Sequence, residues 1–423
     1  MHNKSRSYLN KVTEQIKSKE AKQYVAAELS HHLKAAKQNF IKNGLPEQEA
    51  EEKAIDQMGN PSKLGMQMNK LHRPKVDWIM ISVLLATVGL GFLPMLTLDS
   101  AVADMYLRNK AIIVLLGLLV TFGFMFLDYR KLMQYKWIFF SLGILILLLL
   151  HIGPVTYING YPYLRIGPLS IESTATLPLF YLFWTAFFKS ERISLWQTGL
   201  YFAISLFMFL SLPGLSVSFI YIAMVFVMLW WSNLSFKKII GATLSFFVLL
   251  GGAVFIGWSS IVLRTAGFFN PEQYSDTSGY FYLLSKELML SAGWFGNSAK
   301  GELIPESHTD FVFVNFTYHY GWLLAGVLVI VLAFIAARML LTCKKINHSF
   351  GQMLIIGGVT LFSLQFLYHI ATALGWLPFI SMSLPFISYG LMPTILNSII
   401  VGLFLSVYLR KDLVKEVPDQ QVN

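Results

Sequence analysis

Apolar residues recur along most of the chain in unbroken runs of roughly 17 to 25 positions, the length a helix needs to cross the hydrocarbon core of a bilayer. About ten such runs predict spanning helices, near 78–98, 111–128, 137–153, 173–188, 196–212, 215–232, 239–262, 321–342, 352–374 and 391–409. Trp137, Trp196, Trp231, Trp322 and Trp376 stand at run ends, where an aromatic ring settles among headgroups. Residues 1–76 follow another pattern: polar, lysine-rich and helical. Gly44 ends one helix there, Pro46 suits the first turn of the next with Glu47, Glu49 and Glu51 at its positive end, and Asn60-Pro61 opens a third. The expected fold is therefore all-α. A polytopic membrane domain of about ten helices spans 77–411, a small cytoplasmic helical hairpin or three-helix unit spans 1–76, and a short polar tail spans 412–423.

Composition narrows this further. With 55% hydrophobic and 13% charged residues among 423, an ordinary soluble domain is excluded. The net charge of +10 invites a nucleic-acid partner, but its placement argues against one. Basic residues gather in alternate loops, at Arg130, Lys131 and Lys136, at Lys189 and Arg192, at Lys237 and Lys238, at Arg338, Lys344 and Lys345, and at Arg410 and Lys411. That is the positive-inside pattern of a multi-pass cell-membrane protein, and an even number of spans puts both termini in the cytoplasm. Loops near 99–110, 154–172, 263–320 and 375–390 then face outward. The 1–76 segment carries roughly +6 and either docks on anionic membrane lipid or stays solvated as a regulatory prefix without chemistry. Cys343, the single cysteine, excludes an internal disulfide. No cleavable signal peptide pattern precedes the first run, which is expected to start insertion itself.

Ionisable groups are costly inside a bilayer, and nearly all the runs lack acids and histidine. His369, inside the ninth, reads as a buried, hydrogen-bonded histidine rather than a metal ligand. The outward loop 263–320, between the seventh and eighth runs, is too long to be a mere connector. Its segment "SGYFYLLSKELMLSAGWFG" (278–296) has helical spacing and reads as an interfacial or re-entrant helix. "LIPESHTDFV" (303–312) then collects Glu306, His308, Thr309 and Asp310 beside the apolar run "FVFVNF". An aspartate at that boundary has two roles open to it. It removes a proton from a hydroxyl at headgroup depth, with its pKa raised by partial desolvation, or it caps a helix with Thr309 satisfying free N–H groups. No zinc spacing, phosphate loop, nucleophile elbow or dinucleotide fingerprint appears.

"LIPESHTDFVFV", "YGWLLAGVLV" and "LPFISYG" (384–390) resemble the motifs of the SEDS family of FtsW, RodA and SpoVE. "RIGPLS" (165–170), "LPGLS" (212–216) and Asn159-Gly160 follow in family order, and the likeness spans all ten runs. The 1–76 segment lies outside it and is similar to short helical prefixes that some Firmicute membrane proteins carry. The resemblance implies a peptidoglycan glycosyltransferase that polymerises lipid II, the undecaprenyl-linked disaccharide peptide, at the outer membrane face in division, elongation or sporulation. It places the family's essential aspartate on Asp310, as general base on the acceptor hydroxyl, with Glu306, His308, Thr309, Ser388 and Tyr389 around the substrate. Either a divalent cation such as Mg or Mn, or the basic residues Arg264, Lys300 and Arg165, stabilises the departing diphosphate on this reading. A class B penicillin-binding protein is the implied partner, met through apolar faces of the later spans.

The sequence departs from the family where an acidic motif reads Pro213-Gly214-Leu215-Ser216, where Pro-Ser-Glu reads Ser173-Thr174-Ala175 with Pro178 in place of a lysine, where a Glu-Glu pair reads Tyr318-His319, and where Leu391 replaces a glycine. Two further readings follow: a lipid II flippase, or a scaffold that regulates a transpeptidase without catalysis.

Overall fold

The computed structural model describes residues 3–98, 100–158, 160–167, 169–190, 193–232, 234–256, 265–297 and 304–412. They form two compact units, one of residues 1–76 with the chain from Tyr408 onward, the other of Asp77–Val407.

The first unit has four helices: α1 (Asn3–Glu14), α2 (Lys19–Lys42), α3 (Glu47–Met58) and α4 (Pro61–Leu71). The sequence reading missed α1 as a separate element. Val12 and Ile16 join Ala21, Val25, Leu29 and Leu33, a stripe at helical spacing on α2, in one core. Ser18 and Asn60 cap α2 and α4, and Asn60 Oδ1 accepts from the amides of Ser62 and Lys63 at 3.0 and 3.1 Å. Gly44, with φ +88°, reverses the chain after α2 as expected. Pro46 flanks α3 rather than standing in its first turn. Gly65 lets α4 approach α1 closely, since a Cβ there would lie 2.4 Å from the Val12 carbonyl oxygen.

Over its described residues, which exclude the end of the seventh run (257–262), each predicted run in the second unit falls on a helix. These are α5 (Trp78–Leu90) with its short continuation α6 (Leu93–Leu96), α7 (Ser100–Phe126), α8 (Lys136–Ile152), α9 (Leu177–Phe188), α10 (Leu195–Leu210), α11 (Leu215–Trp230) and α12 (Phe236–Ile256). After α13 (Tyr280–Ser291), which realises the helix expected in the long loop, come α14 (Val312–Cys343), α15 (Ser349–Ala373) and α16 (Leu391–Leu409). Among the described residues six stretches are long and apolar enough to cross a membrane, and the helices at 173–188, 195–210 and 215–230 are shorter apolar ones.

Two differences from the expected fold matter for the site. The loop after α8 folds as a three-stranded antiparallel sheet, β1 (Val155–Ile158), β2 (Tyr161–Ile166) and β3 (Leu169–Ile171), with Leu164 paired to both Val155 and Ile171. Helix α14 starts at Val312, well before the predicted 321, and breaks at Gly321, whose φ of +82° and ψ of 167° are not helical. A Cβ on Gly321 would lie 2.2 Å from the Trp294 carbonyl oxygen, so only glycine lets the chain after α13 pack against this break.

The core sits on α9, where Phe180, Phe183, Trp184 and Phe188 are fully buried. Trp184 Nε1 donates to the Tyr221 hydroxyl at 2.9 Å, and that hydroxyl also pairs with Ser205. Gly357 brings α15 against the Tyr181 ring and Gly402 brings α16 against the α7 backbone at Thr121, the small-residue contacts by which membrane helices approach closely.

Candidate active site

The turn ahead of α14 is built around one carbonyl. Glu306 adopts φ +56°, unusual for a residue with a side chain, and its carbonyl accepts from the amides of Thr309 at 3.0 Å and Phe311 at 3.1 Å. The Thr309 hydroxyl donates to the Glu306 carboxylate at 2.6 Å. Asp310 is thereby turned away from the helix. The flanking residue of α14 is Phe311, whose side chain makes no capping hydrogen bond, and the Asp310 carboxylate accepts from the Ser381 hydroxyl at 2.6 Å rather than from a helix amide. The cap role is thus not the one this aspartate plays.

Behind it lies His369. Its Nδ1 bonds the Met382 carbonyl while Nε2 accepts from the Phe313 amide at 3.4 Å, which fixes the Nδ1–H tautomer. One imidazole therefore joins the start of α14 to the residue beside Ser381, and the buried, hydrogen-bonded role expected for this histidine is the one observed.

Asp310, Glu306, Thr309, Ser381 and Tyr389 line a cavity of about 960 Å³ together with Tyr161, Tyr163 and Glu172 from the sheet and the turn after it, Ser216 at the start of α11, and Asn109 and Ile113 of α7. Burial pushes the Asp310 carboxyl up to about 6. The Ser381 hydrogen bond opposes this, and the charges of Glu306 and Glu172 add to it. Burial likewise raises Glu172, against donation from Thr174 and Tyr163. A partly desolvated carboxylate beside open polar space, half ionised near pH 6, is equipped to take a proton from a hydroxyl at neutral pH. A second cavity of about 870 Å³, between α11, α14 and α15, is lined by residues such as Phe313, Trp322 and Leu367 and holds no acid or base.

The other expected site residues are distributed unevenly. His308 packs between Tyr106, tilted against it, and Tyr389, edge-on to it, at ring distances of 4.7 and 5.8 Å, and Ser388 donates to the Thr309 carbonyl at 2.8 Å, so both support the wall from behind. Arg165 is exposed on β2 opposite Ser170 and does not reach the cavity wall. Arg264 and Lys300 lie outside the described residues. Among the described residues no three His, Cys, Asp or Glu side chains form a set that holds a metal, although three carboxylates share this wall. Sequence reasoning missed Glu172, Tyr163 and Ser381. Only Glu172 carried a signal, as a lone acid in the loop just ahead of an apolar run.

Residues 77–412 match the family model of the FtsW, RodA and SpoVE cell cycle proteins. The chain belongs to that family. Curated relatives include the probable peptidoglycan glycosyltransferases FtsW of Nitrosomonas europaea, 25% identical over 80% of this chain and 94% of that one, and of Trichlorobacter lovleyi, 24% identical over 78% and 92%. Among solved structures, a chain from a peptidoglycan synthase complex superposes with a TM-score of 0.66 at 21% identity, covering 79% of this chain and 97% of its own length. The rod shape determining protein RodA of Thermus thermophilus gives 0.58 at 19% identity, over 81% and 98%. At these identities the superpositions establish a shared polytopic helical fold. As a family member the chain is a multi-pass membrane protein, and the matched region leaves out residues 1–76.

Proposed function

We propose that this chain is a peptidoglycan glycosyltransferase that polymerises lipid II at the outer membrane face, with Asp310 as its general base. The observation that carries the reading is the Asp310 carboxylate, raised to about 6, held by Ser381 on the wall of a polar cavity at a span's end. The ionised carboxylate takes the proton of the acceptor sugar's 4-hydroxyl as its oxygen attacks the anomeric carbon of a second molecule. The bond from that carbon to the diphosphate breaks, undecaprenyl diphosphate leaves with the bonding pair, and the anomeric centre inverts. Both reactants are tethered by their lipids to one plane, which removes much of the orientational cost of the encounter. Tyr161, Tyr163 and Tyr389 line the cavity in which a saccharide would sit.

Basic residues in alternate loops support cytoplasmic termini. On this reading the apolar groove between α11, α14 and α15 is where an apolar helix of a class B penicillin-binding protein would pack. The deciding experiment is polymerisation of labelled lipid II by the purified chain with such a partner, read as glycan length on a gel. Wild-type protein is expected to make chains and Asp310→Asn to make none. Normal chains from the variant would refute the assignment, and labelled lipid II crossing a reconstituted bilayer unpolymerised would favour translocation.

A further inference from the structure

Lys110 is fully buried in α7, and among the described residues its ammonium meets no carboxylate. It donates instead to three successive carbonyl oxygens, of Phe386 at 3.0 Å, Ile387 at 3.1 Å and Ser388 at 2.8 Å. A buried lysine is costly unless its donors are all satisfied, and here all three are. The turn it holds is one the chain would not adopt freely. Phe386 has φ +63°, a left-handed conformation that is unfavourable for a residue with a side chain. On the turn's other side a Cβ on Gly91 would come within 2.5 Å of the Phe386 carbonyl oxygen, so α5 ends directly against it.

This turn carries the wall of the cavity. The Ser388 hydroxyl donates to the Thr309 carbonyl at 2.8 Å while accepting from the Leu384 amide at 2.8 Å. The Tyr389 amide donates to the His308 carbonyl at 2.8 Å. Asp310 directly follows Thr309. Tyr106, one helical turn before Lys110 on the same face of α7, packs against both His308 and Tyr389. We propose that Lys110 is a positioning residue for the transfer site: its ammonium pins the 386–388 turn, and through Ser388 and Tyr389 that turn fixes the backbone from which Asp310 reaches the cavity. The inference rests on the activity proposed above for its catalytic meaning, but not for its structural content.

Purified full-length Lys110→Met and wild type, compared by hydrogen exchange and by lipid II polymerisation, test it. The variant is expected to lose amide protection in peptides covering 306–311 and 384–390 while keeping that of α9 and α15. Its kcat is expected to fall between about tenfold and a hundredfold, with KM within about twofold, because the reacting group is misplaced while the lipid is still bound. Unchanged protection in 306–311, or wild-type kcat, would overturn the proposal, as would loss of protection spread evenly over the whole unit. If the variant does not accumulate, Ser388→Ala breaks the next link without uncovering a charge. It must then loosen 306–311 and lower kcat in the same direction, and full protection there would refute the relay. Wild-type protein that shows the exchange pattern without polymerising would uphold the relay and refute the activity.

Discussion

Two regions of the membrane unit hold their side chains in opposite ways. Around α9, position is set by packing: Phe180 meets Tyr221 at 5.5 Å, Phe183 meets Trp184 at 5.1 Å, and the helix follows ordinary local rules. Around Asp310, position is set by hydrogen bonds between irregular segments. The two non-glycine residues with positive φ among the described residues, Glu306 and Phe386, both lie there. Strained backbone persists only where its surroundings over-determine it, and it gathers at working sites. The core could exchange one apolar shape for another and keep its fold, whereas the cavity wall depends on particular donors and acceptors.

The sharpest way to break this contrast is at Asp310. Asp310→Asn is expected to reduce polymerisation at least about a hundredfold while leaving the helices intact. Its stability should move the other way. Because the folded-state pKa is raised, ionisation opposes folding. That penalty is absent below the ordinary carboxylate range and fully present above about pH 6. At pH 7.5 the variant should therefore melt no lower than wild type, and a clear drop in melting temperature would show that the carboxylate stabilises the fold.

Next in size is the break in α14. Gly321→Ala forces a side chain into φ +82° and against the Trp294 carbonyl oxygen, which separates α13 from the start of α14. Destabilisation of about 2–4 kcal/mol is expected, seen as a lowered melting temperature, with loss of activity secondary to it. A fully stable variant would mean that the two segments are not held as tightly as the contact implies.

A smaller pair of effects concerns the acid limb of the pH profile, expected near pH 6 because the base must be ionised. Ser381 donates to the ionised form, so Ser381→Ala should move the limb upward. Glu306→Gln removes a neighbouring negative charge and should move it downward. Rates at pH 6 and 8 measure both, and shifts of the same sign would show that another group titrates.

Much of this contrast was visible in the residues and part was not. The spans were legible because hydrophobic run length is a long-range average that single exceptions do not disturb. The early start of α14 was hidden by Asn315, Thr317, Tyr318 and His319, which interrupt the run in sequence but are covered by neighbouring elements in the fold. The sheet was hidden because strands of three to six residues carry too little periodicity to register. Asp310, Glu306 and Thr309 were found because their motif is local. Glu172, Ser381 and Lys110 matter through contacts between segments far apart in sequence, and neither Glu306 nor Phe386 is a residue type that announces a left-handed turn.

The smallest expected effect lies in the packed region and serves as the counterweight to the others. Tyr221→Phe keeps the ring that packs against Phe180, Phe202 and Phe209 and removes only the hydroxyl. Ser205 retains acceptors in the Tyr201 and Phe202 carbonyls, so the one group left unpaired is Trp184 Nε1. A single hydrogen bond inside a membrane protein contributes about 0.6 kcal/mol on average, and leaving its partner buried adds to the loss, so about 1 kcal/mol is expected. Polymerisation and its pH profile should stay at wild-type values, because packing rather than hydrogen bonding holds this region. A loss of activity comparable to that of Ser381→Ala would mean that the two regions are coupled and that the division between a packed core and a hydrogen-bonded wall does not describe how this protein keeps its site in place.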